Sequence, residues 1–260
     1  MSACPVVLCR CAAALLCCVG MCASAGQNAA PTVTLYAEDY PPFSWADKVS
    51  GKATGLSADI VNELMARAGV PSTAAQIAPW ARAMVLTATT PNSCLYTTAR
   101  VPEREEHFQW IGPIGHNEWV LFARRQDHIV LHSVDDARPY RIGTFLGDAS
   151  VTFLKERKLQ VYATPTDRLN PGKLQMQRIE LWSVGRLPGT YLLRELGISD
   201  VEPVLTFAQA DMYLACQRDM DRDEVTHLNE VLRAMYRDGT VRRIYAKYGY
   251  EKEAPRLDAP

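Results

Sequence analysis

The chain has 260 residues, of which 48% are hydrophobic and 22% are charged, a composition typical of a globular protein with one large domain or two small ones. Its formal net charge is -1 and it contains no long basic run. Charge therefore gives no indication of binding to nucleic acid or to an anionic membrane.

The N-terminal segment has the pattern of a secretory signal peptide. Arg10 precedes an apolar run over residues 11–22, and small residues follow as far as Gly26. Because the run is too short to span a bilayer comfortably and ends in an A-x-A pattern, residues 1–25 are predicted to be a signal peptide, with cleavage after Ala25. An uncleaved N-terminal anchor and lipid attachment at Cys22 are the alternatives.

Cleavage changes the cysteine inventory. Two cysteines, Cys94 and Cys216, stay in the mature chain, and the predicted signal peptide holds the other six, namely Cys4, Cys9, Cys11, Cys17, Cys18 and Cys22. Export would expose the remaining pair to an oxidising compartment, where a disulfide can persist.

The first part of the mature chain predicts strands that alternate with helices. PTVTLYAE is predicted to be a strand, DYPPFSW interrupts the pattern, and TGLSADIVNELMARAGV has the apolar spacing of a helix that Ser57 can cap and Gly69 can end. PSTAAQIAPWARAMVLTAT predicts a short strand and then a helix from about Pro79. NSCLYTTA predicts a strand that leads into RVPEREEHFQW.

The rest of the chain repeats this alternation. WVLFARR and LQVYAT predict strands, YRIGTFLGDASVTFLKERKL predicts a strand, a glycine turn and a helix, and GKLQMQRIELWSV predicts a helix followed by a strand. GTYLLRELG is a predicted helix, VEPVLTF and MYLACQR are two predicted strands, and DEVTHLNEVLRAMYRDG and TVRRIYAKYG are the last helices. Alternating strands and helices indicate an α/β protein with parallel sheets. The alternation restarts at Tyr140, which favours a second lobe, and the segment after Met212 can complete the first.

Several segments, in this order and spacing, resemble the periplasmic solute-binding proteins of amino-acid ABC transporters, the extracellular solute-binding proteins of family 3. They are YPPFSW with ATGLSADIVNELMARAG, VPERE with FQWIGPI, RIGTFLGDAS, and LNEVLRAMYRDGTVRRIYAKYG. The resemblance covers residues 33–249 and suits a divergent branch with R-x-P-E-R-E and F-x-W-x-G-P. It implies an α/β, two-lobed periplasmic-binding-protein fold of type II. Each lobe would be a mostly parallel sheet with flanking helices, and a two-strand hinge would join the lobes.

The resemblance also implies a domain organisation and a function. Residues 26–117 and 212–250 would form lobe 1, residues 118–211 would form lobe 2, and residues 251–260 would be a tail. The protein would be a periplasmic, non-catalytic monomer without a cofactor. It would capture a small polar solute, amino-acid-like or another carboxylate, by hinge closure for an ABC-transporter permease. No nucleic-acid partner is expected.

Two other functions are compatible with the resemblance. The chain could be a periplasmic enzyme of dehydratase type, in which Glu180 or Asp148 acts as a general acid with a pKa raised by burial. It could also be a ligand-sensing module that signals through a separate membrane receptor.

The resemblance implies that Arg104 clamps the α-carboxylate of the solute. A guanidinium group offers two parallel donors to a carboxylate, although a surface ion pair with a neighbouring glutamate is the alternative role. Arg100 is the rival arginine, since it lies nearer the strand end. Thr98 and the backbone of Ala99 could add donors, because ligands bind at the carboxyl ends of parallel strands.

The remaining candidates line the expected cleft. The resemblance implies that Tyr40 and Trp80 are aromatic walls, with core packing as the alternative. Asp148, in the turn Gly147–Ser150, either contacts the ligand or is a plain helix N-cap. The aspartates that hold the ammonium group in typical members have no equivalent, because Ala37, Val184 and Gly185 occupy those places. The acidic residues that could substitute are Glu38, Asp39, Asp148 and Glu180.

The last prediction concerns the two mature cysteines. Cys94 lies in a first-lobe strand and Cys216 lies on the returning strand that should neighbour it, so a disulfide between them is predicted, with two buried thiols as the alternative. The five histidines show no metal-ligand spacing, and no metal site is expected.

Overall fold

The structure is a computed structural model that describes residues 1–3 and 31–256. The predicted cleavage site after Ala25 and the alternative lipid site at Cys22 lie outside the described residues. Within the described ranges, no helix combines the length and the apolar composition that crossing a bilayer requires.

Ten strands form in the described part of the chain, and most of them coincide with the predicted ones. They are β1 (Thr34–Ala37), β2 (Trp45–Ala46), β3 (Ala53–Thr54), β4 (Gln76–Ile77), β5 (Ser93–Ala99), β6 (Phe108–Arg124), β7 (Arg141–Phe145), β8 (Gln160–Thr164), β9 (Leu181–Gly185) and β10 (Val201–Gln217).

Eight α-helices separate these strands within the same residues. They are α1 (Leu56–Ala68), α2 (Trp80–Thr89), α3 (Pro102–Glu105), α4 (Ala149–Glu156), α5 (Asn170–Gln175), α6 (Arg186–Glu195), α7 (Arg222–Arg237) and α8 (Thr240–Lys247). Short 3-10 turns are also present, among them Asp167–Leu169, which begins three residues beyond the end of β8.

Helix α1 shows how the apolar spacing is used. Its helical apolar stripe is buried, and it comprises Leu56, Ile60, Val61, Leu64 and Met65. Gly69 ends the helix with a φ of 67°, as predicted for a glycine in the left-handed region. The prediction that Ser57 caps the helix is wrong, because the helix begins two residues earlier than that cap requires. Gly55 is the N-cap residue, and Ser57 lies inside the first turn with its hydroxyl buried.

The main sheet has eight strands in the order β4-β1-β5-β10-β6-β9-β7-β8. The pairs β4–β1, β1–β5, β9–β7 and β7–β8 are parallel, whereas β10 and β6 run antiparallel to their neighbours. The predicted α/β class with mostly parallel strands and flanking helices is therefore confirmed.

Two long strands lie in the middle of this sheet. Strands β6 and β10 have 17 residues each and pair with one another from Val201–Arg124 to Gln217–Phe108. The late part of β10 pairs with β5, and the late part of β6 pairs with β9. We call β4, β1 and β5 the first half of the sheet and β9, β7 and β8 the second half, and β6 and β10 form the two-strand connection between them.

The sequence predicted these long strands only in pieces, as WVLFARR, VEPVLTF and MYLACQR. The middle of β10 is polar and partly exposed, and its ladder with β6 keeps it extended. The lobe boundaries at residues 117/118 and 211/212 fall within these continuous strands and stay a prediction.

Each half of the sheet has its own buried apolar residues. A large cluster in the first half joins β1 and β5 to α1, α7 and α8. Beside the second half, successive side chains of β6 lie on opposite faces of the sheet, so the core is divided between these two faces. Val120 and Phe122 pack against Trp182, while Leu121 and Ala123 pack against Ile142.

The predicted disulfide is present in the structure. Cys94 on β5 and Cys216 on β10 are bonded and fully buried, with their Cα atoms 4.0 Å apart at paired positions of the two strands. The bond links residues 122 positions apart, so it ties the returning strand to the first half.

Candidate functional site

The candidate site lies where several strands of both halves end. Glu38 follows β1, Ala99 ends β5, Asp148 follows β7, and Asp167 follows β8. The carboxyl ends of parallel strands meet at one edge of a sheet, which is the usual ligand position in α/β proteins. Helix α3 follows β5 directly and brings Arg104 to the same edge.

Two neighbouring pockets occupy this edge. The smaller one, here called the polar pocket, has about 20 Å³ open to the centre of a water molecule. Its lining includes five of the residues predicted from the sequence, namely Tyr40, Trp80, Ala99, Arg104 and Asp148. Glu38, one of the acidic residues that could substitute for the missing aspartates, also lines it. The residues of this pocket that were not predicted are Thr97, Asn117, Trp119, Phe145, Ala149 and Met212.

The larger pocket, here called the apolar chamber, has about 290 Å³ open to water centres. Glu38, Tyr40, Trp80 and Phe145 line both pockets. The other residues of the chamber are Asp39, Pro41, Ile77, Ala78, Pro79, Pro165, Thr166, Asp167, Arg168, Pro188 and Leu192.

Arg104 makes contacts to both halves of the sheet. Its Nη1 donates to the carbonyl oxygen of Ala99 at 3.2 Å, and its Nη2 donates to the carbonyl oxygen of Gly147 at 2.8 Å. Its guanidinium carbon lies 5.2 Å from the ring centroid of Trp80. Burial lowers the pKa of Arg104, although nearby carboxylates oppose that effect.

Trp80 contacts the same carbonyl group. Its Nε1 donates to the oxygen of Gly147 at 2.8 Å, so one carbonyl of the second half accepts from Trp80 and Arg104. Gly147 has a φ of +80°, and a Cβ there would lie 2.9 Å from Trp80 Cδ1. A glycine is therefore required both by the backbone conformation and by the close approach of the indole.

Four carboxylates line the polar pocket and the chamber, those of Glu38, Asp39, Asp148 and Asp167, and burial raises the pKa of each. Burial is the main cause that raises the pKa of Glu38 well above its usual range, and the charges of Asp148 and Asp167 add to it. Burial also raises the pKa of Asp148, against the hydrogen bonds from Ser150. Burial raises the pKa of Asp167 to about 7, against hydrogen bonds from Asn170 and Trp182.

Asp148 has the N-cap role that was one of its two predicted alternatives. Its Oδ1 accepts from the backbone N–H of Ser150 at 2.8 Å at the start of α4. Because Asp148 also lines the polar pocket, the cap and a ligand contact are compatible. Asp167 was missed from the sequence, although it lies three residues beyond the end of β8 in a TPTD turn, a position comparable to that of Asp148 after β7.

The neutral polar side chains of the pocket include two buried atoms without partners. Thr97 Oγ1 and Asn117 Oδ1 have no hydrogen-bond partner, and these residues are 1% and 4% exposed. Thr97 has a φ of +67°, which is unusual for a β-branched residue. Asn117 Nδ2 donates to the hydroxyl of Tyr40 at 3.4 Å.

The structure does not bring Thr98 into the pocket. Thr97 and Ala99 line it, and Thr98 lies between them on the other face of β5, as strand alternation requires. The Thr98 hydroxyl donates instead to the carbonyl oxygen of Leu95 at 3.1 Å.

Arg100 also lies outside both pockets. Its Nε donates to Glu105 Oε2 at 2.8 Å, and its guanidinium carbon is 5.6 Å and 5.2 Å from the ring centroids of Trp110 and Tyr213. The surface ion pair that was considered for Arg104 is thus formed by Arg100. Arg100 follows the last residue of β5, whereas Arg104 lies four residues later in α3, and the two arginine side chains lie on different surfaces.

Glu180 is a third candidate that lies elsewhere. Its carboxylate accepts from the backbone N–H of Arg141 at 2.8 Å and pairs with the guanidinium group of the same residue. This pair lies at the amino ends of β7 and β9, opposite the site. The hydrogen bonds from Arg141 lower the pKa of Glu180, so the raised pKa expected of a general acid is absent there.

The residues that the structure describes contain no group of three or more histidine, cysteine, aspartate or glutamate side chains arranged to hold a metal ion. The two pockets are lined by carboxylates, two guanidinium groups, hydroxyl and amide groups, and aromatic side chains.

Comparison with known families assigns the chain to a class. The profile of the bacterial extracellular solute-binding proteins, family 3, matches residues 33–251, and the chain belongs to this family. No curated protein sequence matches the chain.

Solved structures share the fold at low sequence identity. A histidine kinase sensor domain with similarity to periplasmic binding proteins has a TM-score of 0.78 at 20% identity, covering 85% of this chain and 96% of that chain. An ancestral arginine-binding protein bound to glutamine has a TM-score of 0.73 at 18% identity, covering 84% and 98%. A substrate-binding protein of an ABC uptake transporter from Streptococcus pneumoniae, with bound histidine, has a TM-score of 0.73 at 17% identity, covering 86% and 95%.

Proposed function

We propose that this family 3 protein captures a small polar solute, amino-acid-like or another carboxylate, between the two halves of its sheet and delivers it to an ABC-transporter permease. It would act in the periplasm as a monomer, after removal of residues 1–25. Family membership supports solute binding, and two proteins of similar structure contain bound glutamine or histidine. Non-catalytic binding is the activity that this family and fold favour.

The observation that carries this proposal is the unused hydrogen-bonding capacity of the polar pocket. Thr97 Oγ1 and Asn117 Oδ1 are buried without partners, and both line a pocket that residues of the two halves enclose. Buried polar atoms without partners cost free energy, so a polar solute that bonds to them would stabilise the enclosed arrangement.

We propose the following roles for the predicted site residues. Arg104 binds a solute carboxylate with the N–H donors that its contacts to Ala99 and Gly147 leave free, because guanidinium–carboxylate pairs are strong in partly buried sites. Tyr40 and Trp80 form walls around the body of the solute. Asp148 and the backbone of Ala99 contribute polar contacts at the edge of the polar pocket.

Mass spectrometry of the solute released from gently purified protein tests this function directly. Thermal-shift screening against amino acids, small carboxylates and amines is the complementary measurement, since a ligand of the folded state raises the melting temperature. Binding of at least one such solute is expected. Absence of any released solute together with absence of any stabilisation would contradict the proposal.

A sensory role is the second candidate, because a histidine kinase sensor domain shares the fold with a TM-score of 0.78. Cells that lack this protein distinguish the two roles. Loss of uptake of the identified solute supports delivery to a permease. Normal uptake with a lost transcriptional response to the solute supports signalling through a receptor.

A further inference from the structure

We infer that the site selects its solute by a cationic group: the solute is an amine on an apolar body, Glu38 binds the ammonium group, and a solute carboxylate is dispensable. This inference rests on the proposed solute-binding function and specifies the class of solute.

The first observation is the isolation of the Glu38 carboxylate. Glu38 is 8% exposed and lines both pockets. The hydrogen bonds and ion pairs formed in the described part of the chain include none to its carboxylate oxygens, whereas its backbone oxygen accepts from Ser44 Oγ at 2.8 Å. A buried carboxylate without a partner is unfavourable, and an ammonium group carried in by a solute would supply that partner.

The second observation is the charge balance of the site. Among the described residues, the walls of the two pockets carry four carboxylates and two guanidinium groups, which are Glu38, Asp39, Asp148 and Asp167 against Arg104 and Arg168. Arg168 donates to both carboxylate oxygens of Glu195, at 3.0 and 2.9 Å, so its charge is balanced outside the chamber. Arg104 donates to the neutral carbonyl groups of Ala99 and Gly147, which do not cancel its charge. Because the carboxylates still outnumber the guanidinium groups, an ammonium group placed among them would favour their charged form against the burial that raises their pKa.

The third observation concerns shape. The polar pocket, with about 20 Å³ open to water centres, has room for a group the size of one water molecule, which needs roughly 10–15 Å³ by the same measure. An ammonium group has this size. The adjoining chamber, at about 290 Å³, has aromatic walls from Tyr40, Trp80 and Phe145 and prolines on several sides. Such a chamber suits an apolar body attached to the amine.

The test uses three probes that share a phenyl ring and differ in charge. Isothermal titration calorimetry at about neutral pH compares 2-phenylethylamine, phenylalanine and 3-phenylpropionate on dialysed protein. Binding of the amine and the amino acid is expected, with the carboxylate probe at least about tenfold weaker, the usual order for losing one charged contact. A 3-phenylpropionate affinity equal to or above that of the amine would overturn the inference.

A matched pair of variants tests whether the Glu38 carboxylate binds the ammonium group. Glu38→Gln is expected to weaken 2-phenylethylamine binding by about tenfold or more, while Glu180→Gln, on the opposite side of the sheet, leaves it unchanged. Unchanged amine binding in Glu38→Gln also overturns the inference. If thermal melting shows that Glu38→Gln does not fold, the three-probe comparison on the wild-type protein decides the inference alone.

Failure of the inference can be separated from failure of the proposed function. If none of the phenyl probes binds but another solute from the broad screen stabilises the protein, the inference is wrong and solute binding stands. If no solute of any charge stabilises the protein, both are wrong.

Discussion

In the first half of the sheet, the groups at the cleft are mainly large side chains, Tyr40, Trp80 and Arg104, held by an extensive core and a disulfide. In the second half, the corresponding groups are a backbone carbonyl, that of Gly147, and carboxylates in the turns after β7 and β8. The first half therefore contributes long side chains that extend across the cleft, and the second half contributes acceptors that are fixed in short turns. Variants that change one half without the other can test this division.

The disulfide is expected to give the largest effect, and it acts where the first half of the sheet joins β10. Replacing Cys94 and Cys216 by serine removes a cross-link between residues 122 positions apart and should lower the free energy of unfolding by about 4 kcal/mol, because the unfolded chain regains loop entropy. Urea unfolding measures this change. Treatment of the wild type with a reductant is the control, and equal stability of variant and wild type would contradict the prediction.

Substitution of Arg104 tests the side-chain contact that the first half makes across the cleft. Arg104→Ala removes the contacts to the Ala99 and Gly147 carbonyls and should weaken binding of the identified solute by about 100-fold, near 3 kcal/mol. Arg100→Ala is the matched control, since Arg100 pairs with Glu105 outside the pockets, and it should change the affinity by less than about twofold. Calorimetric titration measures both, and a larger loss in the Arg100 variant would assign the arginine role to Arg100.

Gly147 tests the acceptor in the second half. Gly147→Ala places a Cβ at a φ of +80° and 2.9 Å from Trp80, so the indole and the turn must move apart, at an expected cost of about 2 kcal/mol in stability and a weaker solute affinity. Gly172→Ala, in α5 with open space around its Cα, is the control and should be neutral or slightly stabilising. Equal melting temperatures of the two variants would argue against the close contact.

The pH dependence of stability tests the carboxylates of the second half, and Asp167→Asn is the variant. In the folded wild type the pKa of Asp167 is raised to about 7, so the folded state holds a proton that the unfolded chain releases near pH 4. The contribution to stability is full below about pH 4 and is lost as the pH rises through 7. Because the side chain is partly exposed, we expect a loss of about 2 kcal/mol.

In Asp167→Asn this part of the pH dependence should disappear, since an amide oxygen can still accept from Trp182 and Asn170. The variant should therefore be more stable than the wild type at pH 8 and similar at pH 4. Urea unfolding at both pH values measures the difference. The other charged groups at this site, Glu38, Asp39, Asp148, Arg104 and Arg168, are unchanged, so a remaining slope is expected. An unaltered slope would contradict the assignment.

The sequence allowed prediction of the fold class, of most strands and helices, and of the disulfide, because these depend on local periodicity and on the order of segments. It also directed attention to Tyr40, Trp80, Ala99, Arg104 and Asp148, which the structure brings together. The long strands were predicted only in pieces, because their polar middle is kept extended by partners far away in the chain.

The site residues that were misplaced share a physical cause. Thr98 and Arg100 lie one residue or a short turn away from residues that do line the pocket, and side-chain direction changes with each residue of a strand. Glu180 was expected in the cleft, but it immediately precedes β9 and therefore lies at the amino end of that strand, away from the site. Asp167 was missed because a single aspartate in a polar turn is a common local pattern. Its strand, β8, lies far from β1 in the sheet order, and only the approach of the two halves across the pocket brings it near Glu38.

The shared acceptor at Gly147 has an evolutionary consequence. A main-chain oxygen is present whatever amino acid occupies the position, so no change of side chain can delete this end of the contact between the halves. The strength of that contact can be adjusted in small steps only at its donors, Trp80 and Arg104. In related sequences, differences in how firmly the two halves associate should therefore arise from substitutions in α2 and α3. The turn after β7 should accept few substitutions.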